Sequence, residues 1–140
     1  MAFFTHFFSE LQLRFLIVIL IISVTYSCKA QQVVDNQQQI NIYSSQIIGI
    51  WIDDKDDYYK LEFLSNGICK EYDENQMIAE YNYSIVNSNC SNYNSSNSFF
   101  LQWIDSEDSR VTCLEILNIT DTNLSLMIID KAERLFFNKQ

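Results

Sequence analysis

Histidine, the side chain best suited to moving protons near neutral pH, occurs once in this chain, as His6. Because His6 lies in the apolar N-terminal stretch, a mature chain without that stretch cannot use a Ser-His-Asp or Cys-His mechanism. Carboxylates cluster at residues 53–57 and 105–108. Their spacing is typical of solvated turns and differs from that of a Ca²⁺-binding loop. The sequence therefore predicts a protein that is not an enzyme and that holds no metal and no cofactor.

Four cysteines are present, and three of them follow the N-terminal stretch. Cys90 and Cys113 flank a long loop and the fifth predicted strand, and in an exported chain a disulfide between them is the predicted pairing. Pairing of Cys69 with either of the other two remains open, since spacing alone does not settle connectivity. The cysteines lack the close pairs that zinc sites use, so no zinc site is predicted.

The N-terminal stretch is predicted to be an export signal. Residues 15–24 are apolar and follow Arg14, and this run is shorter than the roughly 20 residues that a spanning helix needs. The junction Thr25-Tyr26-Ser27-Cys28 resembles a bacterial lipoprotein signal, which implies that Cys28 is lipidated and anchors the mature chain to a membrane. The alternatives are cleavage after Ala30, which would give a secreted protein, and an uncleaved membrane anchor.

The folded part of the chain is predicted to be all β. From residue 46 onward, eight short apolar runs alternate with turn residues, and within the runs inward and outward side chains alternate with period two. Short links between the runs favour an antiparallel, up-and-down, eight-stranded β-barrel, with a two-sheet sandwich as the alternative. No helix of ordinary length is expected after the export signal, and residues 87–98 are expected to be the least structured. The predicted organisation is a signal helix at 1–28, a flexible tether at 29–45 and a barrel domain at 46–140.

A family resemblance adds to this interpretation. The residues that carry it are Gly49-Ile50-Trp51 and the segments 59–67, 113–117, 123–126 and 135–139. Together they resemble the Gly-x-Trp motif and the later strands of lipocalin-like proteins, in particular the short lipocalin-like domains of bacterial lipoproteins. The resemblance implies that Gly49 and Trp51 close one end of the barrel. It also implies that a late basic residue, Lys139 or Arg134, packs over Trp51.

Binding is the function that this fold would favour. An inward-facing aromatic and apolar wall is predicted from five residues: Tyr81, Tyr83, Phe99, Leu101 and Trp103. We therefore expect an exported, lipid-anchored lipocalin-like module that binds a small apolar or amphipathic ligand. The alternative is a solid-core barrel whose loops contact a partner protein or a polysaccharide. Nucleic acid is excluded as a partner, because the net charge is −9 and the basic residues form no stripe.

Overall fold

The computed structural model describes residues 35–140, with the side chains of Asn94, Ser96 and Asn97 excepted. The chain divides into two compact units, residues 1–37 and 38–140, and the second contains the whole sheet. The predicted signal peptide at 1–28, the lipidation of Cys28 and the first part of the tether lie outside the described residues. Within residues 35–140, no helix is both long enough and apolar enough to cross a bilayer.

The second unit is a closed β-barrel of eight antiparallel strands in up-and-down order, with the last strand paired to the first. The strands are β1 (Gly49–Asp53), β2 (Lys60–Phe63), β3 (Ile68–Asp73), β4 (Gln76–Cys90), β5 (Tyr93–Asp105), β6 (Val111–Ile119), β7 (Asn123–Ile128) and β8 (Glu133–Lys139). A 3₁₀ helix, Ile129–Lys131, links β7 to β8. The predicted up-and-down barrel is confirmed, and the sandwich alternative is wrong.

Period-two alternation places one side chain in every two inside the barrel. In β2, Leu61 and Phe63 are at most 1% exposed while Lys60 and Glu62 face outward. The same alternation in β7 buries Leu124 and Leu126. Because closure leaves no unpaired strand edge, the alternating pattern suffices to define a single interior.

The segment before the barrel differs from its prediction. Residues 35–46 form a helix, α1, where a flexible tether over 29–45 was expected. Ile40 and Tyr43 pack against the barrel core, and Ile47 just after the helix is fully buried. These positions have the i, i+3, i+7 spacing of one helix face, so burial of that face offsets the entropy of ordering a polar segment. The barrel unit therefore begins within α1, before residue 46.

The Asn/Ser-rich segment 87–98 is also more ordered than predicted, because it continues β4 and β5 as one long hairpin. The register shifts between Asn87 and Asn89, and Ser88 has a φ of +72°, which marks a β-bulge. Beyond the bulge the hairpin folds back onto the outer face of the barrel. There Cys90 forms the predicted disulfide with Cys113, and Phe100 becomes buried although it points away from the barrel interior. Cys69 is left as a free, buried thiol.

Candidate functional site

The end of the barrel that faces α1 is closed by Trp51. Its side chain is fully buried, and its indole N–H donates to the carbonyl of Ile47 at 2.6 Å. Of the two predicted basic residues, Lys139 lies over the Trp51 ring, 4.9 Å from the centroid, and donates to the carbonyl of Gln46 at 2.8 Å. Arg134 is exposed instead. This end of the barrel is therefore filled by the Trp51 ring and by the Lys139 side chain packed over it.

Three of the five predicted ligand contacts pack in this filled region. Phe99 meets the ring of Tyr43 from α1 edge-on at 5.3 Å, and Leu101 is fully buried. The Tyr83 ring meets Phe63 edge-on, and its hydroxyl donates to a main-chain carbonyl in the β2–β3 turn. These contacts indicate that Tyr83, Phe99 and Leu101 are core residues.

The other two, Tyr81 and Trp103, lie toward the opposite end of the barrel, which we call the open end. This is the end where β1 leads into β2 and where the β3–β4 and β5–β6 turns lie. The Tyr81 and Trp103 rings are stacked, with centroids 5.0 Å apart and planes 12° apart. Tyr81 and Trp103 therefore belong to a group of contacting side chains, and the sequence analysis did not identify its other members.

The missing members are Tyr59 and Glu71. One Glu71 carboxylate oxygen accepts a hydrogen bond from the Tyr59 hydroxyl at 2.8 Å, and the other accepts one from the Tyr81 hydroxyl at 2.6 Å. Glu71 pairs in register with buried Leu61, so it lies on the interior face of the sheet. We call Tyr59, Glu71, Tyr81 and Trp103 the Glu71 cluster.

The hydrogen bonds and the burial of the Glu71 cluster affect its titration. Burial, followed by the hydrogen bond to Glu71, raises the pKa of Tyr59 and of Tyr81 above the ordinary phenol range. Burial also raises the pKa of the nearby Cys69 thiol, with a further contribution from the charge of Glu71. At neutral pH the Tyr59 and Tyr81 hydroxyls are therefore neutral donors to one carboxyl group.

One polar atom of the cluster has no partner. Trp103 is 9% exposed, and among the described residues nothing accepts a hydrogen bond from its indole N–H. A buried donor without an acceptor costs roughly 1–3 kcal/mol, so such atoms are uncommon in folded proteins. The other unpartnered atom found in residues 35–140 is the side-chain oxygen of Gln46, at the closed end. Trp103 differs because its ring stacks on that of Tyr81, whose hydroxyl donates to Glu71.

Depressions are also present at other places on the surface of the described region. Three have volumes of about 200, 220 and 280 Å³, and none is lined by the five predicted ligand contacts. The acidic turns at the open end also have a local role, because Asp53 and Asp105 accept hydrogen bonds from main-chain N–H groups of their own turns. No group of three potential metal ligands occurs in the part of the chain that the structure describes.

Fold and site together define a small antiparallel β-barrel with one filled end and one polar, aromatic end. Comparison of the chain with family models, with curated proteins and with solved structures finds no match. The geometry of the open end is therefore the basis for assigning a function.

Proposed function

We propose that this chain is an exported lipocalin-like binding module that takes a small amphipathic ligand at the open end of its barrel. The observation that carries the proposal is the buried indole N–H of Trp103, which has no acceptor among the described residues. A bound ligand with an acceptor atom would remove this penalty, and an aromatic or apolar body would lie against the stacked Tyr81 and Trp103 rings.

Partial exposure supports the same site. Tyr59, Glu71 and Tyr81 are on the interior face of the sheet, yet each keeps part of its surface accessible to solvent. In contrast, inward-facing residues nearer the closed end, such as Leu61 and Leu101, are fully buried. The cluster therefore lies where the interior of the barrel reaches solvent, which favours a shallow site for a small molecule over a deep apolar pocket.

The proposal is for binding, not catalysis, and for a protein held at a membrane. Beyond His6 the chain has no histidine to serve as a general base. We propose that Cys28 is the lipidated N-terminus of the mature chain, as the lipoprotein-like junction implies. Intact mass spectrometry of the mature protein tests this: acyl chains on an N-terminal Cys28 would support anchoring, and an unmodified N-terminus at Gln31 would show secretion instead.

The binding proposal is tested by nuclear magnetic resonance, since the chain has two tryptophans and therefore two indole N–H resonances. Titration with small 4-hydroxyphenyl compounds should shift the Trp103 resonance saturably and leave that of Trp51 unchanged, because the Trp51 N–H already donates to a carbonyl. The Trp103→Phe variant identifies the resonance.

If no compound, at millimolar concentration, and no small-molecule extract of the native host shifts the Trp103 resonance, the ligand proposal is wrong. The solid-core alternative, in which the loops contact a protein or a polysaccharide, would then be favoured.

A further inference from the structure

The Glu71 cluster contains a carboxyl group inside the barrel that forms no ion pair with any of residues 35–140. In the part of the chain that the structure describes, the one ion pair joins Arg110 to Asp108 at the exposed surface. Lys139 lies at the closed end and is held over Trp51. Arg110 lies at the rim of the open end, near enough to Tyr81 to interact with its charge, but its guanidinium is bound to Asp108. Among the described side chains, the donors to Glu71 are the neutral hydroxyls of Tyr59 and Tyr81.

Two neutral donors leave the charge of a carboxylate uncompensated. Partial burial costs a carboxylate part of its hydration, and a cation close by is the most effective replacement. The stacked Tyr81 and Trp103 rings next to it present π faces, which also attract cations. The Trp103 N–H, in turn, requires an acceptor. These requirements are met together by one molecule that carries an ammonium group, an aromatic body and a hydrogen-bond acceptor.

We infer that the open end of the barrel binds a small organic amine, with its ammonium group at Glu71, its aromatic body on Tyr81 and Trp103, and an acceptor atom at the Trp103 N–H. The inference rests on the proposed function and adds the charge and the chemical class of the ligand. The Trp103 N–H, which has no acceptor among the described residues, then acquires one, and Glu71 acquires a cationic partner.

A matched series of probes separates the ligand class from binding itself. Tyramine, tyrosol and 3-(4-hydroxyphenyl)propanoate share one aromatic body and one phenol oxygen, and their other ends are cationic, neutral and anionic. Binding is followed by the Trp103 indole resonance. We expect tyramine to bind at least about tenfold more tightly than tyrosol, and the propanoate to bind most weakly.

Variants assign the preference to Glu71. Glu71→Gln should weaken tyramine binding by at least about tenfold and change tyrosol binding by no more than about twofold. The matched control is Glu62→Gln, which makes the same change in net charge. Glu62 accepts a hydrogen bond from the Tyr72 hydroxyl at 2.8 Å on the outer face of the same sheet. This control should leave tyramine binding unchanged, although the net charge of −9 attracts cations in general.

Each outcome has a separate meaning. Equal binding of tyramine and tyrosol, or equal loss from both glutamate substitutions, overturns the amine inference and leaves the ligand proposal standing. Preference for the propanoate also overturns it. Failure of all three probes and of host extract contradicts the proposed function itself. If Glu71→Gln does not fold, salt titration of the unmodified protein decides: added salt should weaken tyramine binding and leave tyrosol binding unaffected, and parallel curves refute the inference.

Discussion

Gly49 is the position where a single methyl group should disturb the closed end of the barrel most. Its φ is +134°, which is far outside the region that other residues adopt readily. A Cβ atom added to Gly49 would lie 2.7 Å from the Cε atom of Lys139, whose ammonium group is held by the carbonyl of Gln46 and by the Trp51 ring. Gly49→Ala would therefore strain the backbone and displace Lys139.

The two effects have different sizes. Backbone strain of this kind costs about 1–3 kcal/mol. Displacing Lys139 weakens a charge-assisted hydrogen bond, worth roughly 1.5–3 kcal/mol, and a cation–π contact, worth about 0.5–2 kcal/mol. Since the lysine side chain is flexible, rearrangement recovers part of the Lys139 interaction energy, and we expect a total loss of about 3 kcal/mol in the free energy of unfolding.

Gly67 is the matched control, because it also has a positive φ, of +84°, but the atom nearest to a Cβ added there would be a carbonyl oxygen 3.6 Å away. Gly67→Ala should therefore cost only the backbone term, about 1–2 kcal/mol. Urea unfolding of both variants measures the difference.

A double-mutant cycle with Lys139→Ala isolates the steric contact between the Cβ atom added at Gly49 and the Lys139 side chain. Without the lysine side chain, Gly49→Ala should cost about 1–2 kcal/mol less than in the unmodified protein. If Gly49→Ala is no worse than Gly67→Ala, or if its cost is the same with and without the lysine side chain, the steric account of the closed end is wrong.

Three further predictions concern other parts of the barrel. Cys90→Ser should lower the free energy of unfolding by about 3 kcal/mol, since the disulfide closes a loop with a sequence separation of 23; an unchanged urea midpoint would show that the bond does not form. Because their phenol pKa values are raised on folding, Tyr59 and Tyr81 stabilise the barrel fully below pH about 10, and this stabilisation is lost as the pH rises further. The urea midpoint should therefore fall above that pH, and the fall should be smaller after Tyr59→Phe plus Tyr81→Phe; an equal fall would refute the assignment. Ile40→Asp should destabilise the barrel by about 2 kcal/mol or more, whereas Ile42→Asp, at a position that is 40% exposed, should have little effect, and equal effects would mean that α1 does not pack as described.

The barrel was predictable because its information is local. Alternating runs such as Leu61 to Phe63 fix which face of each strand is buried, and short links fix the antiparallel order. Helix α1 was missed because residues 35–39 are all polar, and because Ile42, between Ile40 and Tyr43, is exposed and obscures the apolar stripe. The long hairpin was missed because Asn and Ser have low strand propensity, which the pairing of β4 with β5 and the disulfide to Cys113 override.

The site was only partly predictable, for a related reason. Alternation from buried Cys69 places Glu71 on the interior face, so a charged residue in an inward position was the available signal. The sequence alone does not reveal which residues bind the Glu71 carboxyl group. Tyr59 and Tyr81 meet Glu71 only because β2, β3 and β4 are adjacent in register, and their hydroxyls converge on one carboxyl group from two sides.

The two tryptophans of the barrel provide a comparison within one chain between stability and binding. Trp51→Phe removes a buried hydrogen bond and leaves the carbonyl of Ile47 without its donor, in addition to the loss of ring packing. Trp103→Phe loses a similar ring area but also removes an unpartnered N–H. The first substitution should therefore be more destabilising than the second by about 2–4 kcal/mol in urea unfolding, since each unsatisfied polar group costs about 1–3 kcal/mol. Equal losses would mean that the Trp103 N–H is satisfied by water, and the indole would then no longer point to a ligand. A large difference, together with loss of probe binding only in Trp103→Phe, would show that the unpartnered Trp103 N–H lowers the stability of the barrel and is required for binding.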